Sequence, residues 1–322
     1  MPPELPSHVG PYRILELLDR GGTSPVFKAE DPAHDRIVAV KLLSPRLLED
    51  PVARERFERE TDSMVRLGHS NVVQTFEAGR DADRPYLVRE YLEGTSLDRL
   101  LRQRRLTTAE AFHVMRAICR GLAHAHQNGV VHRSLTPRDI LVSPDLSVVK
   151  ITDFGRIDLL TSMTGTLNTG AISLGAFHYL APEQVEAEPG KDRVDHRADL
   201  YAAGVIFHEM LTGRAPGGRF VLPSQLNSEL PPEVDVLVFR CLEKNPAERY
   251  GNALELLADL TRLEETLRLR LASELKGITQ AGSKLLAGGP EGQAAGNRRT
   301  ALIVTVLLIL VVAAVAIYLI AR

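Results

Sequence analysis

The sequence predicts an α+β chain in which strands come first and helices follow, with one apolar helix at the C-terminal end. Three observations carry this. Between Tyr12 and Val40, apolar and polar residues alternate around turn residues at Gly21-Gly22 and Asp31-Pro32, the period of half-buried hairpin strands. From Thr108 the spacing is helical, and helices dominate after Asp199. The stretch Ala301–Ala321 carries no charge, and only Thr305 and Tyr318 in it are mildly polar.

Taken in order, the hairpin region is followed by Asp50-Pro51, an N-cap with proline at the first helical position, opening a helix to about Leu67 that Gly68 closes. Val72–Ala78 and Tyr86–Tyr91 read as strands. After Gly94 the chain turns helical, and Thr108–Gln127 forms one long helix ended by Asn128-Gly129. Val130–Thr152 holds short strands around a polar loop. The last helix of this part runs from Asn252 to about Lys276, with Leu256, Leu260, Leu263 and Leu267 on one stripe. That stripe fits an amphipathic helix packed on its own domain, or a dimerising coil, for which fewer than two heptads are present. Gly277–Asn297 contains six glycines and reads as a flexible linker.

The 322 residues amount to about two domains by a ~150-residue prior. With 44% apolar and 25% charged residues, the composition excludes a disordered or fibrous chain. A net charge of -2 leaves no global field for nucleic acid, so none is expected as a main partner. Two cysteines, Cys119 and Cys241, make neither a disulfide framework nor a zinc pattern, as expected for a reducing compartment.

As a helix, the uncharged stretch spans about 31 Å, against ~30 Å of bilayer hydrocarbon. It is therefore expected to cross a membrane over 300–321. Met1–Gly10 has neither a basic start nor an apolar run, so no leader peptide is expected. Six Lys/Arg against two Asp/Glu lie between Thr266 and Arg299, and only Arg322 follows the span. The positive-inside rule then places residues 1–299 in the cytoplasm of a single-pass cell-membrane protein, with the C-terminus outside.

The chemistry lies in ordered motifs. Val38–Lys41 (VAVK) ends a strand, and Glu60 follows nineteen residues on in mid-helix. Then come His132-Arg133, Asp153–Gly155 (DFG) and Ala181–Glu183 (APE), with Asp199–Gly204 (DLYAAG) and Cys241–Tyr250 (CLEKNPAERY) beyond. Over residues ~11–265 this set resembles the protein kinases, and within them the bacterial membrane-anchored, eukaryotic-like Ser/Thr kinases. The resemblance implies a two-lobed fold, with a β-rich N-lobe over 11–92 and a helical C-lobe over 93–265. Around it lie a tail over 1–10, a basic Gly-rich linker over 266–299 and the membrane helix. It implies ATP and Mg²⁺ as ligands and cytoplasmic proteins as partners.

Residue by residue, the resemblance implies that Lys41 pairs the α- and β-phosphates and Glu60 holds Lys41. Gly21, Val26, Ala39, Glu90, Leu92 and Leu141 would line the nucleotide slot. Asp153 and Asp139 would be the metal ligands; Asp139 replaces an asparagine, and a carboxylate oxygen suits Mg²⁺. Phe154 would pack beneath the helix bearing Glu60. Glu183 with Arg249 would be a structural ion pair, and Asp199 a brace for the catalytic-loop backbone.

The departures are as informative. The family loop H-R-D-L-K-P-x-N reads His132–Asp139 (HRSLTPRD) here. Ser134 stands at the proton-acceptor position, Thr136 at the lysine, and Ala176 at a threonine that would bond to both, so three members of one unit are absent together. In the phosphate loop, Asp19, Gly21 and Ser24 occupy the three glycine places before Val26; the Asp19 charge opposes phosphate binding. Arg89 takes an ordinarily apolar place behind the adenine pocket, either pairing with Glu60 in competition with Lys41 or extending outward.

Loss of a general base costs ~10²–10⁴-fold, which takes kinase turnover of about 1–100 per second down to ~10⁻⁴ to 1 per second. Three readings follow: a pseudokinase acting as nucleotide-sensing scaffold or regulator, a weakly or unconventionally active ATP-dependent Ser/Thr kinase, or another nucleotidyl chemistry. The hydroxyls of Thr161, Ser162, Thr164, Thr166, Thr169 and Ser173 are candidates for phosphorylation, with Arg133 as a receiver of the phosphate.

Overall fold

The computed structural model describes residues 5–19, 24–43, 61, 63–82, 84–154, 175–186, 194–217 and 220–287. Six antiparallel strands form the first sheet: β1 (His8–Val9), β2 (Tyr12–Asp19), β3 (Val26–Asp31), β4 (Arg36–Leu42), β5 (Thr75–Asp81) and β6 (Arg84–Glu90), in the order β1-β2-β3-β4-β6-β5. Alternation decides its faces. Phe27 and Ala29 of β3 and Val38, Val40 and Leu42 of β4 are buried together with Val88 of β6. The β3–β4 turn is fixed by Asp31, whose carboxylate accepts from His34 and Arg36 at 2.8 and 2.9 Å.

The second face of this sheet is the one that matters for the site. In an antiparallel ladder, directly opposite residues share a face. Val26 stands opposite Lys41, and Ala39 opposite Arg89. The period of two then places Val26, Ala39, Lys41 and Arg89 on one face, towards the rest of the molecule. Of the helix expected over 50–67, residues 61 and 63–65 are described and are helical; the others, Glu60 among them, lie outside the described residues.

A helical lobe follows. Gly94 leads into it, where a Cβ would lie 2.1 Å from the Val142 carbonyl oxygen, so only glycine fits. A small sheet joins β7 (Thr95–Ser96), β8 (Ile140–Val142) and β9 (Val149–Ile151). The helices are α1 (Leu97–Gln103), α2 (Thr108–Gln127), α3 (Pro182–Glu186), α4 (Arg197–Thr212), α5 (Pro223–Leu226), α6 (Glu233–Cys241) and α7 (Ala253–Ala287). Helix α2 begins at a capping box between Thr107 and Glu110 and ends at Asn128, with Gly129 at φ 74°, the boundaries expected from the sequence.

The core lies between α2, α4, α6 and the start of α7. Phe112 meets Phe207 edge-on at 5.3 Å, and Met115, Ile118, Leu122, Leu237, Leu256 and Leu260 fill the space around them. The α7 leucines therefore pack on their own domain: Leu256 and Leu260 are buried in this core, and Leu263 and Leu267 lie against it. Intramolecular packing accounts for their spacing, not a dimerising coil. Arg116 of α2 pairs with Glu264 of α7 beside them.

One boundary is corrected. Helix α7 continues to Ala287, so the flexible linker expected from Gly277 does not start there. The surrounding Leu, Lys, Ala and Gln residues are good helix formers, and a single glycine costs only ~1 kcal/mol, too little to stop a running helix. Among the described residues no helix is long and apolar enough to cross a membrane, and the span expected over 300–321 lies outside them.

The helical lobe is locked at its base by Arg249, which is buried. Its Nη1 and Nη2 donate to the two Glu183 carboxylate oxygens at 2.7 Å each, its Nε to the Glu243 carbonyl at 2.7 Å, and its plane faces the Tyr201 ring. This fork explains why arginine is needed there. Replacing it by Arg249→Met removes the donors to the Glu183 carboxylate and to the Glu243 carbonyl, and is expected to cost about 3–5 kcal/mol in urea unfolding. Arg249→Lys is expected to recover only a minor part, since it cannot supply the paired donors. A loss of under ~0.5 kcal/mol for Arg249→Met would contradict the assignment.

Candidate active site

The site forms where the second face of the first sheet meets the segment after β9. Lys41 Nζ donates to Asp153 Oδ1 at 2.6 Å. Arg89 reaches the same oxygen through Nη1 and also donates to Thr152 Oγ1 at 3.1 Å. Two cations from neighbouring strands thus converge on one carboxylate. Burial by itself would raise the Asp153 pKa, but Lys41 and Arg89 outweigh it and hold the group well below the ordinary carboxylate range.

Arg89 does not extend outward, being only 7% exposed, and it pairs with Asp153; Glu60, its other expected partner, lies outside the described residues. Its Nε is buried without a hydrogen-bond partner, and the residue lines a small cavity of mixed polarity together with Met64, Leu67, Phe154, Thr75 and Thr152. Asp153 itself has φ 63°, a left-handed conformation that costs a non-glycine residue energy and persists only where its surroundings impose it. Phe154 is buried, with its ring 5.0 Å from that of His132.

The loop opposite is held through its backbone. Asp199, from the first turn of α4, is buried and accepts from the His132 and Arg133 amides at 2.8 and 2.7 Å and from His126 Nε2 at 2.8 Å. His132 Nε2 donates to the Thr152 carbonyl at 2.9 Å, and the Thr152 amide donates to the Asp139 carbonyl at 2.8 Å. This fastens the Asp153 segment to the loop on both sides. Arg133 also has φ 68°, and its carbonyl accepts from Gln184 of α3 at 2.6 Å.

The three substituted positions do not form a unit. Ser134 Oγ is buried without a hydrogen-bond partner. Thr136 donates from both its amide, at 2.9 Å, and its hydroxyl, at 2.7 Å, to Asp139 Oδ2. Ala176 opens a short 3₁₀ turn to Tyr179 and has no polar side chain to offer. Asp139 is accordingly a cap for the 3₁₀ turn Pro137–Asp139, buried at 2% exposure.

A divalent ion does not fit this arrangement. Asp153 Oδ1 is shared by two protein cations, Asp139 Oδ2 is taken by Thr136, and a dication would enter beside Lys41 and Arg89. Among the described residues no group of three or more His, Cys, Asp or Glu side chains is placed to hold a metal. Asp139 and Asp153, expected as the metal ligands, thus each have one carboxylate oxygen engaged by protein donors.

Val26, Ala39, Leu92 and Leu141, expected to line the nucleotide slot, are half-buried. Glu90 makes a side-chain contact that sequence reasoning missed: Lys150 of β9 donates to both its oxygens at 2.8 Å, a second bridge between the lobes. Gly21, Glu60 and the hydroxyls of 161–173 lie outside the described residues. The Arg89 contact did leave a trace in the sequence, a lone cation in an apolar strand (YLVREYL), which must find a buried partner.

A family profile described as protein kinase domain matches residues 12–260. A probable serine/threonine-protein kinase of Clostridium acetobutylicum is 34% identical over 268 residues, covering 79% of this chain and 40% of that protein. Serine/threonine-protein kinase PrkC of Bacillus subtilis is 34% identical over 275 residues, covering 81% and 41%. This chain thus spans about 40% of the length of these curated relatives. A crystal structure of the Mycobacterium tuberculosis PknI kinase domain superimposes with a TM-score of 0.65 at 25% identity, covering 80% of this chain and 99% of that one.

The depressed Asp153 pKa has a definite sign. Its contribution to stability is complete above the unfolded value of ~3.9 and is lost as pH falls from there through the lower native value. Asp153→Asn is expected to be less stable than the parent at neutral pH, with the gap narrowing below about pH 4 in urea titrations. Parallel stability curves down through acid pH would contradict the pairing.

Proposed function

We propose that this chain, which belongs to the protein kinase domain family, is a pseudokinase: a membrane-tethered regulator that keeps the fold and the nucleotide slot without efficient phosphotransfer. The observation that carries this is the loop at Ser134. A neutral hydroxyl stands where a proton acceptor is needed, and it has no hydrogen-bond partner through which a base could activate it. Thr136, at the place of the cation that would steady the moving phosphoryl group, is turned to Asp139.

The tether rests on the uncharged stretch Ala301–Ala321 and on the basic residues before it, which place the kinase-like domain on the cytoplasmic side. Its partners would be cytoplasmic proteins, among them an active kinase or that kinase's substrate. The activation-segment hydroxyls and Arg133 would let phosphorylation change its docking surface. A second reading is favoured by Lys41 and Asp153, which are brought together at 2.6 Å: a slow ATP-dependent Ser/Thr kinase.

Transfer from radiolabelled ATP by the full chain separates the two. The pseudokinase reading expects transfer at background, unchanged by Lys41→Met, and a gain when Ser134→Asp, Thr136→Lys and Ala176→Thr are combined with Arg89→Met, which frees Asp153 from its second cation. Restoring a general base alone is worth ~10²–10⁴-fold. Robust transfer by the parent chain that Lys41→Met abolishes would establish the slow kinase instead.

A further inference from the structure

Arg89 does something that phosphotransfer has no need of. It brings a permanent positive charge to the carboxylate beside which phosphates would lie. A carboxylate facing a polyphosphate repels it, and a divalent ion between the two ordinarily removes that repulsion by Coulomb attraction to both. Here Asp153 Oδ1 is already neutralised from the protein side, by Arg89 from β6 and Lys41 from β4. The Asp139 charge is drawn off towards the amide and hydroxyl of Thr136. Arginine keeps its proton under all working conditions, so this neutralisation is permanent.

We propose that Arg89 stands in for the divalent cation, so that this chain binds a nucleoside di- or triphosphate as the bare anion, with Lys41 as its phosphate partner and no metal ion. This rests on the reading of the slot as a nucleotide site. The same guanidinium bars a metal from Asp153, because a dication there would face two cations around a carboxylate already shared. The ligand class follows from the setting: half-buried apolar side chains of Val26, Ala39, Leu92 and Leu141 for a base, next to a cationic end for phosphates.

The test is calorimetric titration of ADP and ATP into the full chain, once in EDTA and once in excess Mg²⁺, with electron paramagnetic resonance of Mn²⁺ as a direct count of bound metal. The affinity in EDTA should lie within about threefold of that in Mg²⁺, with no bound Mn²⁺ in the nucleotide complex. Arg89→Met should lose about tenfold or more in EDTA, regain affinity in Mg²⁺ and bind Mn²⁺. Arg89→Lys, which keeps the charge, should stay metal-independent and covers the case in which Arg89→Met does not fold. Binding by the parent chain only in Mg²⁺, or with Mn²⁺ bound, would overturn the stand-in role while leaving the nucleotide site intact. Binding in neither buffer would overturn both the stand-in role and the nucleotide part of the proposed function.

Discussion

A carboxylate shared by two cations ties the two lobes of this protein together. Asp153 belongs to the segment after β9, while Lys41 and Arg89 belong to adjacent strands of the other lobe. An acidic group taken out of water needs compensation, and here it comes twice over. The left-handed backbone at Asp153 is affordable because hydrogen bonds on either side leave little choice: Thr152 is held by His132 and Asp139, and Phe154 is sunk into the core. From there the connections continue through Asp199 to the loop backbone, through Gln184 to α3, and through Glu183 to Arg249 at the base.

What survives along this line differs in kind from what is missing. Asp199, Glu183 and Arg249 hold backbone and helix ends, and their work is finished once the chain has folded. In the proposed pseudokinase reading, Ser134, Thr136 and Ala176 stand where groups would act on a moving phosphoryl and a leaving proton. Of the three, only Thr136 holds the loop, through its bonds to Asp139, and the fold is intact around an unpartnered hydroxyl at Ser134. Arg89 makes the contrast sharper. It strengthens the join between the lobes and at the same time occupies the charge environment that a metal would require.

Much of this was legible in the sequence because it is local. The period of two sets the faces of β3 and β4, the capping box and Asn128-Gly129 set both ends of α2, and the ordered motifs identified the lobes. The roles of Asp199 and of Glu183 with Arg249 followed from the resemblance and are borne out by their hydrogen bonds. The partners of Arg89 and Lys150 were not legible: each lies some sixty residues away in sequence, and no spacing rule connects a strand cation to a carboxylate in another lobe. The capping contact of Asp139 was not legible either, because its orientation depends on which residue stands at 136. The extension of α7 is hidden by the glycine content of 277–297, although the glycines before Ala287 fall singly among helix formers.

The central claim is that Arg89 and Asp153 form an energetically coupled pair across the lobes. A double-mutant cycle on unfolding free energy with Arg89→Met, Asp153→Asn and their combination measures this directly. For a buried charge-assisted bond the account requires a coupling of about 1.5–3 kcal/mol. Additivity within ~0.5 kcal/mol would show that the two side chains are neighbours without being partners, and would contradict it.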